Sequence, residues 1–210
     1  MRRIEKLCSY LSRADVFADV GCDHGYCTEY MLKNDLCGRA YISDISAKSL
    51  QKAETLLASY IREGRCIPVV ADGLQGIGEP CDLVLIAGMG GEEIIKIISG
   101  TLPDRFVLQP MKNTDKVRSY LSGRVKFIRD ETFRIGETYY DVVVGERGEE
   151  MLTPLEIKYG RDNLNTPTDD FRQWVKEKLE GAEKFLLRAK DENARRALLE
   201  RRAELRGLLH

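Results

Sequence analysis

Several things are missing from this sequence, and each absence narrows the possible readings. The six cysteines (Cys8, Cys22, Cys27, Cys37, Cys66 and Cys81) include no CxxC pair, so metal-ligand spacing is absent. A chain of 210 residues has no need of disulfide staples, and reduced thiols are the expected state. No apolar run approaches the length of a membrane span, and the amino-terminal MRRIEKLCSYLSRADVF is charged throughout, with no apolar signal core. Positive charge is not in excess: 33 Lys/Arg against 34 Asp/Glu leave a net of -1, so there is no global basic signature for nucleic acid. Internal repeats and low-complexity tracts are lacking as well. The expectation is a cytoplasmic globular protein with no membrane partner and no metal.

What is present is a core and a pattern. Hydrophobic residues make up 43% and charged residues 32% of the chain, as in an ordinary globular protein. Charge is uneven: residues 171–210 carry eleven Lys/Arg against seven Asp/Glu, which leaves 22 against 27 on residues 1–170. A net-neutral chain can therefore still present a basic face to a polyanion. Short β-branched runs at 16–22, 40–45, 65–72, 81–88 and 105–110 alternate with helical patterns at 24–35, 46–64, 91–100 and 113–123. That alternation predicts an α/β fold with a parallel, doubly wound sheet. Two further runs, 125–135 and 138–147, are separated only by Gly136-Glu137 and read as a hairpin, so the sheet should have seven strands and end with one antiparallel strand. Residues 155–168 show no clear periodicity and read as a linker. From Asp169 the apolar residues Phe171, Trp174, Val175, Leu179, Ala182, Leu186 and Ala189 lie mostly three or four apart on one helical face. A second stripe (Ala194, Ala197, Leu198, Leu205, Leu208) follows the polar stretch 190–193, which predicts a C-terminal helical hairpin. The expected division is 1–154 for the sheet domain and 155–210 for linker and hairpin.

In an open parallel sheet, ligands meet the carboxyl ends of the strands where the topology reverses. The first such loop reads Asp19-Val-Gly21-Cys22-Asp23-His24-Gly25. It is not GxGxxG, and its carboxylates would repel a pyrophosphate, which disfavours a dinucleotide and with it a dehydrogenase. The second strand ends in Asp44, placed to accept the hydroxyls of a ribose, and the third in Asp72-Gly73, placed to meet an adenine edge. Together the three loops describe a positively charged nucleoside without phosphate, which points to S-adenosylmethionine. The fourth strand runs into CDLVLIAGMGGEEI, three glycines within four positions, where backbone must come close to something.

These motifs, VFADVGCDHGY, ISDIS, ADGL, LVLIAGMGGEEI, FVLQP and GETYYDVVVGE, resemble in order those of the TrmK family, bacterial tRNA (adenine-N1)-methyltransferases acting at adenine 22. The resemblance runs over about residues 3–147. It implies a class I methyltransferase with a Rossmann-like domain, a coiled-coil-like helical C-terminal domain, S-adenosylmethionine as methyl donor and tRNA as partner. Carried over by residue, it implies a donor site of Asp19, Gly21, Cys22, Asp23, His24, Gly25, Asp44, Ile45, Asp72, Gly73, Ala87, Gly88 and Met89. It places transfer at Asp23, Met89, Gly90 and Gln109, with Met89 left to touch the acceptor. Gln109-Pro110 matches the family's LQP, although Met111 stands where the family usually has Asn, with Asn113 two positions on. N1 of neutral adenine carries a lone pair and needs no base, so positioning supplies much of the rate. The charge that appears on the ring would be relieved by loop carbonyls, Asp23, Gln109 or Tyr139/Tyr140; no general base stands out. Backbone phosphates would be met by Arg2, Arg3, Lys112 and Arg118, and in the C-terminal region by Arg188, Lys190, Arg195, Arg196, Arg201 and Arg202. Phe171 and Trp174 belong to a core stripe, and a monomer is expected. A methyltransferase with another acceptor and a noncatalytic nucleotide-binding protein stay open as alternatives.

Overall fold

The computed structural model describes residues 2–209. Its strands are β1 (Ala14–Val20), β2 (Cys37–Asp44), β3 (Cys66–Val70), β4 (Leu83–Met89), β5 (Arg105–Pro110), β6 (Val125–Ile135) and β7 (Thr138–Arg147). They form one sheet in the order β3-β2-β1-β4-β5-β7-β6. The pairings among β1 to β5 are parallel, and β7 is antiparallel to both β5 and β6. The helices are α1 (Arg3–Cys8), α2 (Tyr26–Lys33), α3 (Ala47–Leu56), α4 (Ala58–Arg62), α5 (Gly91–Gly100), α6 (Thr114–Leu121), α7 (Pro154–Tyr159), α8 (Arg161–Asn165), α9 (Asp169–Leu186) and α10 (Glu192–Gly207). Among the described residues no helix is long and apolar enough to cross a membrane.

Seven strands and a terminal hairpin are what the pattern predicted, with one correction. The antiparallel strand does not stand at the end of the sheet; β7 is inserted between β5 and β6. Apolar content explains the order. Val142 and Val143 of β7 are buried beside Phe106, Val107 and Leu108 of β5, whereas β6 leaves Lys126, Ile128 and Arg129 exposed. The inner strands are buried on both faces, so their sequences read as continuous apolar runs. Phe17, Ile42, Leu85 and Val107 pack one face against Leu7 of α1 and Met31 and Leu32 of α2; Val20, Val84, Ile86 and Leu108 pack the other against Ile94 and Ile98 of α5 and Val117 of α6.

Three helical details depart from the sequence reading. α1 was not anticipated, although Ile4, Leu7, Cys8 and Leu11 have helical spacing and Leu7 and Cys8 are buried. The segment 46–64 divides at Leu57, which is fully buried and sits outside helical geometry at φ -97° and ψ 13°. The stretch 155–168 is no linker. α7 packs on α6, α8 lies against β6, and side chains of α8 and of the first turn of α9 serve the outer edge of β6. Asp162 Oδ2 accepts from the Asp130 N–H at 3.0 Å, Asn163 Oδ1 from the Thr132 N–H at 2.9 Å, and Asp170 Oδ2 from the Arg134 N–H at 2.9 Å. Alternate backbone donors of an edge strand are thereby paired by carboxylates and an amide, which closes an edge that would otherwise template aggregation. Polar residues recruited one by one in this way leave no apolar period for a sequence reading to find.

α10 folds back on α9, with Phe171 and Val175 packed against Leu205, as a hairpin requires. Trp174 stacks on Phe171 with centroids 5.7 Å apart, so both aromatics are core, as expected. The second apolar stripe is mostly uncovered: of its members only Leu205 is buried. All six cysteines are free thiols.

Candidate functional site

The chain runs outward from β1 through β2 to β3 and returns to place β4 beside β1. A crevice opens above that reversal, and the first three strand-end loops converge on it. The β1–α2 turn makes its bend with Gly21, Asp23 and Gly25 in the left-handed region, at φ 70°, 46° and 73°. It is hooked to β2, because Gly21 N–H donates to the Ser43 carbonyl at 2.8 Å. Around it lies a cavity of about 430 Å³ lined by Asp19, Gly21, Cys22, Asp23, His24, Asp44, Ala87, Gly88 and Met89, and also by Arg3, Ile4, Leu7 and Tyr26. A smaller adjoining chamber is lined by Gly21, Asp44, Ile45, Asp72, Gly73 and Met89. Most of the residues read from the sequence as a donor site thus surround two chambers that share Gly21, Asp44 and Met89. Gly25 sits at the start of α2, where a Cβ would press on Leu57 and Ala53, so its bareness serves packing.

The carboxylates are not equivalent. Asp19 is 5% exposed, and its Oδ2 accepts from the Thr28 hydroxyl at 2.8 Å. Burial pushes its pKa up to about 6, with the Thr28 bonds acting in the opposite sense. Asp44 Oδ1 accepts from the Ser46 N–H at 2.8 Å in the turn before α3, whose cap is the Ser46 hydroxyl, so a turn-fixing bond and a ligand-facing position coexist in one side chain. Asp72 is exposed and holds Lys96 at 2.7 Å, and Asp23 holds Lys52 at 3.1 Å. His24 is exposed and stacks on Tyr26 with centroids 5.4 Å apart. Burial raises the Cys22 thiol well above its ordinary range, so it stays protonated and is no nucleophile near neutrality. Among the described residues no group of three or more His, Cys, Asp or Glu is placed to hold a metal ion.

The glycine block after β4 has three different reasons for its bareness. Gly88 takes φ 82° beside a register shift against β5, and a Cβ there would lie 3.8 Å from the Arg3 guanidinium. At Gly90 a Cβ would lie 3.2 Å from Lys112 Cε. Gly91 is closed off altogether: a Cβ there would collide with the Asn113 carbonyl oxygen, and its N–H donates to the Lys112 carbonyl at 2.9 Å. Gly90 and Gly91 therefore admit the β5–α6 loop rather than a ligand.

Three expected roles need correction. Met89 does not reach toward an acceptor; its terminal methyl occupies the place a Cβ of Gly21 would take, between the two chambers. Gln109 is fully buried, so no incoming base touches it; its Nε2 donates to the Pro110 carbonyl at 3.1 Å, and its Oε1 accepts from Arg3 Nη1 at 3.4 Å. Arg118 is 1% exposed and cannot meet a phosphate. It holds Asp130 through Nε at 2.8 and 3.1 Å and approaches Asp141 at 3.6 Å. The apolar packing of α6 draws it in, and the carboxylate of β6 receives it.

Of the other basic residues singled out, Arg2 is exposed and lies 3.9 Å from Glu5, and Arg196 pairs with Glu200 at 3.2 Å. Arg188, Lys190, Arg195 and Arg201 are exposed and Arg202 half-buried. Lys112 faces a further cavity of about 390 Å³, with Met111, Asn113, Tyr139, Tyr140, Asp141 and Lys158 around it. That cavity lies beside the β5–α6 corner, and Arg3 stands between it and the donor-side cavity, its guanidinium 5.8 Å from the Tyr140 ring centre.

The Methyltransferase domain family model matches residues 1–143 of this chain. The chain belongs to that family. The chain is 34% identical to a candidate tRNA methyltransferase of Mycoplasma genitalium, over 61% of each sequence. It is 29% identical to the tRNA (adenine(22)-N(1))-methyltransferase of Bacillus subtilis, over 70% of this chain and 65% of that one. The chain thus spans less than two thirds of the length of these relatives. A candidate tRNA (m1A22) methyltransferase of Streptococcus pneumoniae, solved in complex with S-adenosyl-L-methionine, superposes with a TM-score of 0.88 at 22% identity, covering 100% of this chain and 99% of that one. That likeness extends the shared fold through the C-terminal helices. The lining residues outside the expected donor set are Ile4 and Leu7 of α1, Tyr26 and Cys27 of α2 and Leu85 of β4, with Arg3 assigned elsewhere; for α1 the signal was the helical spacing from Ile4 to Leu11.

Proposed function

We propose that this chain is an S-adenosylmethionine-dependent methyltransferase that modifies N1 of an adenine in tRNA, adenine 22 as in the name of the Bacillus subtilis relative. The observation that carries the donor is the run of carboxylates Asp19, Asp44 and Asp72 at the ends of β1, β2 and β3, around two chambers that meet at Gly21. These residues fit a cationic nucleoside. Gly21 leaves the backbone bare at the junction, and the turn has carboxylates where a dinucleotide would need room for a pyrophosphate. The Streptococcus pneumoniae complex supports the same ligand. Once bound, the donor supplies a methyl group on a positively charged sulfur. Asp44 would accept the ribose hydroxyls with the oxygen that Ser46 leaves free, and Asp72 and Gly73 would flank the adenine. Met89 would turn aside to let one ligand span both chambers.

The acceptor base, drawn out of its stack, would enter beside the β5–α6 corner, where Met111, Tyr139 and Tyr140 offer apolar and aromatic surface across Arg3 from Gly88. Lys112 and the exposed arginines of α10 would meet the tRNA backbone, which makes residues 155–210 the grip and the sheet domain the chemistry. A cytoplasmic location follows from such a substrate. Incubation with labelled donor and unmodified bacterial tRNA, then mapping of the modified nucleotide, tests the proposal. Label at N1 of adenine 22 is expected; transfer only to a small molecule or protein, or none, would refute the tRNA assignment.

A further inference from the structure

Asp141 is a carboxylate that the fold uses only by half. It lies on β7 opposite Thr132 of β6, and by strand alternation it shares a face with Val143, which is buried with Val117 of α6. Its side chain is 29% exposed and lines the cavity beside the β5–α6 corner. Oδ1 accepts from the Thr132 hydroxyl at 2.6 Å, and among the described residues nothing donates to Oδ2. Arg118 stands behind it but is committed to Asp130, which it grips through Nε at 2.8 and 3.1 Å. Its Nη2 stops 3.6 Å from Asp141 and, although buried, has no hydrogen-bond partner. A carboxylate kept for the sake of Arg118 would close that gap, since an orphaned buried donor is costly. Asp141 is instead fixed by one short bond, with an oxygen left over toward the cavity.

Its place on the sheet is the acceptor side. Met89 pairs with Pro110 and Leu108 with Val143, so the second register carried two residues further sets Asp141 across from Pro110. Met89, Pro110 and Asp141 thus stand in neighbouring strands β4, β5 and β7, on the rim where β2 ends in Asp44. The other carboxylate of this cavity, Asp115, is exposed on the first turn of α6. We infer that Asp141 reads the acceptor base, taking a hydrogen bond from the N6 amino group of the adenine that is methylated at N1. This rests on the reaction proposed above. A carboxylate only accepts, and adenine offers a donor at position 6 where guanine offers an acceptor. The contact leaves the neighbouring N1 open to the methyl donor. In the transfer the N1 lone pair forms the bond to the methyl carbon, and the electrons of the carbon–sulfur bond return to sulfur, which leaves as a neutral thioether. Positive charge passes to the purine and spreads onto N6, so the bond to Asp141 strengthens as the reaction proceeds, and no proton has to leave in that step. Thr132 and Arg118 are positioning residues, acting through Asp141 and not on the base.

A cycle between the residue and the atom it reads tests this. Two tRNAs, one with adenine at position 22 and one with unsubstituted purine there, which keeps N1 but lacks the amino group, are assayed with labelled S-adenosylmethionine. The proteins are wild type, Asp141→Asn and Asp141→Ala, with S-adenosylhomocysteine affinity and melting curves measured in parallel. Asp141→Ala should lose about 10- to 100-fold in kcat/KM on the adenine tRNA, as for a hydrogen bond to a charged group, and stay within about threefold of wild type on the purine tRNA. S-adenosylhomocysteine affinity should hold in both variants. Asp141→Asn should fall between, since its amide oxygen still accepts but without the charge, and its unchanged shape keeps the comparison open if Asp141→Ala does not fold. Equal losses on the two tRNAs would overturn the inference by showing a merely structural effect. Full activity of both variants on the adenine tRNA would overturn it with the reaction left intact. Wild type inactive on both tRNAs would remove the proposed reaction, and the role of Asp141 with it.

Discussion

Asp19→Asn should make the free protein more stable and a donor-binding protein worse at its task. The carboxyl is buried, 5% exposed, and its pKa stands at about 6 against an ordinary 3.8. A group whose folded pKa lies above its unfolded value holds its proton more firmly when folded. Its contribution to stability is therefore greatest below the unfolded pKa and declines as pH rises toward the folded one. At 1.36 kcal/mol per pH unit, the ionised Asp19 costs the fold about 3 kcal/mol at neutrality and about 1 kcal/mol near pH 4.5. Asparagine does not titrate, so the stability difference between variant and wild type should grow by about 2 kcal/mol between those conditions. Chemical denaturation at both pH values measures it, and comparison across pH cancels whatever the substitution does to the Thr28 contact. A difference that stays constant with pH would refute the burial of a titrating carboxyl at this position. The functional counterpart is proton release: a cationic ligand beside Asp19 lowers its pKa, so binding near pH 6 should release protons into the buffer, and the variant should release fewer.

Other perturbations separate further roles. Asp44→Ala removes a charged acceptor worth about 1.5–3 kcal/mol per bond and should weaken donor binding at least about tenfold, measured calorimetrically beside a melting curve that accounts for the lost Ser46 contact. Gly21→Ala adds a methyl at φ 70° where Met89 already stands, and should cost about 1–3 kcal/mol of stability along with most donor affinity; an undisturbed melt would show that the turn relaxes freely. Arg118→Ala strands Asp130 inside the fold and should destabilise by about 3–5 kcal/mol; weakened tRNA binding with an unchanged melt would restore the surface role that its burial contradicts. Neutralising Arg195, Arg196, Arg201 and Arg202 together should weaken tRNA binding and flatten its salt dependence by about one unit of slope per lost contact, with donor affinity unaltered.

Much of the fold could be read without coordinates, because strands buried on two faces announce themselves as apolar runs and the hairpin by its Gly136-Glu137 turn. Asp19, Gly21, Asp44 and Asp72 were legible for the same reason: each sits at a strand end, and in a parallel sheet the strand ends share a rim. Local order in the chain was enough to place them together.

What the chain alone could not convey depends on partners distant along it. Gly91 reads as room for a ligand until the Asn113 carbonyl is seen to occupy that room. Arg118 reads as one more surface cation, and only the approach of α6 to β6 puts Asp130 against it. Residues 155–168 read as a linker because Asp162 and Asn163 answer backbone donors of β6 more than thirty residues away, a demand that leaves no periodic trace. Arg3 is the same case at the site itself, since its neighbours Gln109 and Met111 lie more than a hundred residues on. Apolar patterning and turn chemistry are local and repeat along the sequence, so the sequence by itself determined the α/β sheet and its acidic rim. Charge pairing and steric exclusion act through space between single residues, so only the tertiary structure decided which cations are free, which glycines are filled, and which end of the cavity is positive.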